Sequence, residues 1–71
     1  MIVLHQLNGV EFALNIDLIE IIKESPDTRI TLTTGRLYIA KESMQQVLQA
    51  ILEYKRSVYK NLLEGNFSGE E

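Results

Sequence analysis

Apolar and polar positions alternate with period two through the first 40 residues and then switch to helical spacing. Ile2 to Leu7 is apolar-rich, Asn8-Gly9 follows, and Val10, Phe12 and Leu14 alternate with Glu11, Ala13 and Asn15. Asn-Gly between such runs predicts a hairpin over 2–14 with a two-residue turn in which both central positions take positive φ. Asn15-Ile16-Asp17-Leu18 breaks the alternation and reads as one helical turn, capped by Asn15 and with Asp17 near its positive end. A third strand spans Ile19 to Ser25, with Ile19 and Ile21 pointing one way and Ile22 the other. Ser25-Pro26-Asp27-Thr28 is a turn with Pro26 at its first central position. Ile30 and Leu32 then alternate with Arg29, Thr31 and Thr33, and beyond a turn at Thr34-Gly35, Leu37 and Ile39 alternate with Arg36, Tyr38 and Ala40. This pattern places Arg29, Thr31, Thr33, Arg36 and Tyr38 together on the outer face of the last hairpin.

Ser43 with Gln46 three residues on has capping-box spacing, and Met44, Val47, Leu48, Ile51, Leu52, Tyr54, Val58, Tyr59, Leu62 and Leu63 recur at three- and four-residue intervals. A helix over Met44–Glu64 follows, with Gly65 suited to the position after its last residue. The expected fold is therefore α+β: a small antiparallel five-stranded meander of hairpins followed by one long amphipathic helix. Residues 1–64 make a single domain and 65–71 a mobile, acidic tail. Phe67 is the tail's one large apolar residue, either tacking it down or standing exposed.

The lengths of these elements do not match. A 21-residue helix spans about 31 Å, whereas five strands at about 4.8 Å spacing cover only about 20 Å. The helix from Tyr54 onward has too little sheet beneath it. Tyr54, Val58, Tyr59, Leu62 and Leu63 are then a surface for self-association or docking, unless they fold back over the first hairpin.

Size sharpens that expectation. Seventy-one residues give one domain whose single core supplies about 3–5 kcal/mol. The chain has no cysteine, so neither a disulfide nor a thiolate metal site can staple it. With 45% hydrophobic residues, oligomerisation or a partner protein is the remaining means, and a homo-oligomer is expected. A net charge of −3 argues against a nucleic-acid binder, which usually carries a basic stripe. No apolar run is long enough to span a bilayer, and Met-Ile-Val-Leu-His lacks the basic start of a signal peptide. A cytoplasmic protein is expected.

Residues able to do chemistry are few. His5 is the only histidine, with Glu11 as a possible cross-strand neighbour, and reads as a packing or edge residue because a metal site needs several converging ligands. Glu20 and Glu24 on one strand face read as charges that discourage edge pairing. Ser25, Ser43, Ser57 and Ser68 fall at turn, cap, helix surface and tail, none in a nucleophile elbow, and the glycines form no phosphate-cradling motif. Neither catalysis nor a cofactor is expected. Lys55, Arg56 and Lys60 form a basic cluster beside Tyr54 and Tyr59. It reads as a solvated face paired with Glu53 and Glu64, or alternatively as a contact for an acidic protein or anionic lipid, at most peripheral to a membrane. The outer face of the last hairpin reads as a polar surface, or alternatively as a nucleic-acid platform around Arg29, Arg36 and Tyr38.

In order and spacing, Leu7-Asn8-Gly9, Phe12, Leu14-Asn15, Leu18-Ile19-Glu20, Pro26-Asp27-Thr28, Ile30-Thr31-Leu32-Thr33, Gly35, Tyr38 and Lys41-Glu42-Ser43 resemble the small flagellar FlbD family, which includes swarming-motility proteins. The resemblance runs almost continuously over residues 4–48. It departs at Ile16, where members often carry proline, and at Thr34-Gly35, where they often carry Asn-Gly. It implies a bacterial, cytoplasmic, non-catalytic accessory of flagellar motility with motor proteins as partners, and it carries over no active-site residues. The alternative from the residues alone is a small nucleic-acid-binding regulator.

Overall fold

The computed structural model describes residues 1–64. Its elements are β1 (Ile2–His5), β2 (Glu11–Leu14), a 3-10 turn (Ile16–Leu18), β3 (Ile19–Glu24), β4 (Thr28–Leu32), β5 (Leu37–Ala40) and α1 (Met44–Glu64). The expectations for Gly65 and for the 65–71 tail with Phe67 lie outside the described residues.

The strands divide into two antiparallel sheets, β1-β2 and β3-β4-β5, which corrects the expected single five-stranded meander. The cause lies between β2 and β3. The Asn15 side chain accepts from the Asp17 N–H at 3.0 Å and caps the 3-10 turn, which redirects the chain so that β3 does not continue along β2. A hydrogen bond near the strand ends links the sheets instead, from Lys41 N–H to His5 O at 2.7 Å, while Thr33 N–H to Leu18 O at 2.7 Å extends the β3-β4 ladder. The sheets share one core: Ile2, Leu4 and Leu14 from the first, Ile30, Leu32 and Ala40 from the second, closed by Val47 of α1.

Both hairpin loops have the same geometry. Gly9 N–H donates to Gln6 O and Gln6 N–H to Val10 O, each at 2.8 Å; Gly35 N–H donates to Leu32 O at 2.9 Å and Leu32 N–H to Arg36 O at 2.8 Å. Only the glycines have positive φ, 89° at Gly9 and 92° at Gly35. These are three-residue loops closed by a left-handed glycine, not the two-residue turn expected at Asn8-Gly9. Asn8 contributes its side chain, which accepts from Val10 N–H at 3.0 Å. At the next connection the Ser25–Pro26 peptide is cis.

β3 resolves its conflicting pattern with a bulge between Ile19 and Ile21. Ile19 stands opposite Leu32 and Ile22 opposite Ile30, so the extra residue turns both isoleucines to the core and leaves Ile21 exposed. The bulge also separates Glu20 from Glu24: Glu24 pairs with Thr28, on the core-side register. In β5 the alternation has the opposite phase from the expected one. Tyr38 stands opposite Ile30 and Ala40 opposite Thr28, so Tyr38 faces inward and stacks on Phe12, with centroids 5.5 Å apart and ring planes at 19°. Arg29 and Thr31 keep the outer face, opposite Ile39 and Leu37.

The helix begins where Ser43 and Gln46 predict. Gln46 N–H donates to Ser43 Oγ at 3.1 Å and Ser43 N–H to Gln46 Oε1 at 2.9 Å, a complete capping box. Only the first two turns of α1 dock: Val47 is fully buried, Met44, Ala50 and Ile51 are partly buried, and every residue from Leu52 to Leu63 is exposed. The radius of gyration is 14.1 Å, against about 11 Å for a compact chain of this length.

Candidate functional site

Two places gather the residues singled out by the sequence. The first is the junction of β1 with the entry to α1. His5 N–H donates to Glu42 Oε1 at 3.0 Å, and His5 Nδ1 lies 2.6 Å from Glu42 Oε2. An ionised carboxylate only accepts, so the proton of that contact sits on Nδ1. His5 Nε2 faces Glu11 Oε2 at 3.7 Å, the cross-strand neighbour expected from the register His5↔Glu11. Burial pushes the Glu42 carboxyl up, but the side-chain and backbone hydrogen bonds from His5 outweigh it and hold the group below its ordinary value. Both imidazole nitrogens therefore face carboxylates, and the cluster fastens the end of β1 to the start of α1. Glu42 was not legible as the partner of His5, because 37 residues separate them and no local pattern links a strand end to a residue before a helix cap.

The junction makes a direct prediction. A carboxyl whose folded value is lowered contributes stability that is present above its unfolded value of 4.5 and is lost as the pH falls through the folded value. Glu42→Gln keeps an acceptor for the His5 N–H but loses the charged contact. We expect a cost of about 1 kcal/mol at neutral pH, after allowing for solvent screening at this partly buried pair. Urea midpoints measured from pH 7 to pH 3 should fall below pH 4.5 in the native chain, and more shallowly in the variant.

The second place is the crook where α1 leaves the body. Tyr54, Lys55, Val58, Tyr59 and Leu62 line a cleft of about 330 Å³, completed by Ile16 and Asp17 of the 3-10 turn. Four of the five expected docking residues converge there, and Leu63 stands beyond it. The apolar residues are bare: Val58 is 44% exposed, Leu62 57%, Tyr59 64% and Leu63 70%. The first hairpin does not cover them. Of the basic cluster, Lys55 lines the cleft, and Arg56 and Lys60 lie about 100° and 140° further round the helix at 100° per residue. Glu53 accepts from the Gln49 amide at 3.0 Å. Among the described residues no three histidine or carboxylate side chains gather as metal ligands, and no helix is long and apolar enough to cross a membrane.

The model of the FlbD family, described as flagellar and swarming motility proteins, matches residues 1–59. The chain belongs to the FlbD family. The match covers the whole β body of this FlbD chain and its helix as far as Tyr59, beyond the 4–48 stretch that carried the resemblance, and it stops short of Lys60, Leu62 and Leu63. Membership makes it a protein of flagellar or swarming motility. Neither the curated proteins nor the solved structures contain a match to it.

Proposed function

We propose that this FlbD-family chain is a non-catalytic accessory of flagellar motility, acting by protein–protein contact as a cytoplasmic homo-oligomer at or near the motor. The observation that carries the contact reading is the distal half of α1: Tyr54, Val58, Tyr59, Leu62 and Leu63 present apolar surface that no part of the described chain covers. Exposed apolar patches rimmed by polar residues mark interaction sites. The non-catalytic reading draws support from the His5 junction, where both imidazole nitrogens are directed at carboxylates rather than at a nucleophile. The nucleic-acid alternative loses its aromatic, since Tyr38 stacks inward on Phe12.

Deleting the gene tests the motility role. Swarming across a surface and swimming through viscous medium should both be impaired and should return with the native chain supplied in trans. Undiminished movement in the deletion strain would overturn the reading.

A further inference from the structure

The exposed residues of α1 hold a second pattern beside the stripe that docks on the sheets, and its distal members Lys55, Tyr59 and Leu62 also line the cleft. Leu48, Leu52, Lys55, Tyr59 and Leu62 follow one another at spacings of four, three, four and three, and all five are exposed. That is a heptad seam, with the 3.5-residue average that keeps one helix facing another along its length. It begins over the docked half of the helix, where Leu48 and Leu52 turn away from the sheets, and runs through the projecting half. Lys55 sits in its middle.

Lys55 decides how two such seams can meet. In a parallel, in-register pair each Lys55 would lie against its own copy, which sets two like charges in the core of the contact. An antiparallel pair centred on Lys55 does the same. Moving the centre to Ser57 removes the clash: residue numbers across the pair then sum to 114, so Lys55 of each copy meets Tyr59 of the other, and Leu52 of each meets Leu62 of the other. An ammonium over a tyrosine face is attracted to it, and the lysine stem covers apolar surface. The two β bodies then lie at opposite ends, and each projecting half covers the other.

We propose that two copies of this chain pair antiparallel along this seam, Leu52 against Leu62 and Lys55 against Tyr59, twice over. The proposal rests on the homo-oligomer reading above and specifies its geometry. The contact is small. With about 100 Å² of apolar surface per large aliphatic side chain or lysine stem and about 200 Å² per aromatic, half of it exposed, Leu52, Lys55, Tyr59 and Leu62 of the two copies bury roughly 500 Å² in all. This falls below the 1,200 Å² or more of a standard interface, so the pair is weak and transient.

The absence of cysteine makes disulfide trapping clean. Leu52→Cys, Tyr59→Cys and Leu62→Cys chains are prepared singly, confirmed as folded by circular dichroism, and oxidised at concentrations where light scattering shows the native chain paired. A mixture of the Leu52→Cys and Leu62→Cys chains should cross-link to each other at least tenfold faster than either does alone, and the Tyr59→Cys chain should not cross-link to itself. Self-cross-linking of the Tyr59→Cys chain would mean a parallel pair or an antiparallel one centred elsewhere, and would overturn this geometry while leaving self-association standing. Pairing without any cross-link among these positions would do the same. A native chain that stays monomeric at all concentrations would overturn both the geometry and the oligomer.

Discussion

Leu4→Ala is expected to leave this domain largely unfolded at room temperature. Leu4 is fully buried. It stands opposite Phe12 in the β1-β2 pair and belongs to the core that joins both sheets to Val47. Truncating such a leucine costs about 2–5 kcal/mol, part for lost transfer and part for the cavity. The whole domain has only about 3–5 kcal/mol to lose. The location makes the upper part of that range apply. An isolated two-stranded hairpin is marginal in water, so β1-β2 persists because Ile2, Leu4 and Leu14 pack on the second sheet and on α1. Removing the central one loosens the whole hairpin from the body. A thermal melt by circular dichroism should show a fall of roughly 10–30 °C, read at fixed protein concentration because self-association shifts the midpoint. Val3→Ala, one residue away on the exposed face, should move the midpoint by only a few degrees. Equal effects from the two would mean that the hairpin does not stand on the second sheet.

Much of this architecture is legible in the order of residues, and the parts that are not have a common cause. The places of the two turns, the Asn15 cap, the capping box of Ser43 and Gln46, and the start of α1 are set by residues within four positions of one another and are found as expected, although the Asn8-Gly9 turn is one residue longer than its dipeptide implies. The FlbD resemblance is legible for the same reason, since its turns and caps are local. What escapes depends on the arrangement of elements distant in sequence. Period two shows that β5 alternates but not which phase faces the core. Leu37 and Ile39 are the greasier pair, yet the inward pair is Tyr38 and Ala40, because Phe12 offers a ring to stack on and Ala40 fits opposite Thr28. The bulge in β3 hides behind an apparent conflict between Ile19, Ile21 and Ile22. The division into two sheets follows from the turn that Asn15 caps, whose direction no alternation encodes. At the site, the bareness of the distal helix comes from simple lengths, whereas the junction of His5 with Glu42 needs the fold.

Leu62→Asp is expected to abolish pairing and swarming while leaving the folded body intact. In the antiparallel geometry each Leu62 faces Leu52 of the other copy, and the two-fold axis places the new carboxylate in the contact twice. A buried charge without a partner is among the most damaging changes an interface can receive. A loss of about 3 kcal/mol raises the dissociation constant of so weak a pair more than a hundredfold. Within a single chain the same change is mild. Leu62 is 57% exposed and lies beyond the last turn that touches the sheets. Aspartate near a helix carboxy terminus opposes the dipole by about 0.3–1 kcal/mol, which frays the projecting end without reaching Val47. Light scattering should therefore report a monomer at concentrations where the native chain pairs, and the thermal midpoint measured at high dilution should agree with that of the native chain within about 4 °C. Supplied to the deletion strain in place of the native chain, the variant should accumulate normally and fail to restore swarming. Full restoration by a demonstrably monomeric Leu62→Asp chain would separate function from this surface and move the search for a partner to the β body.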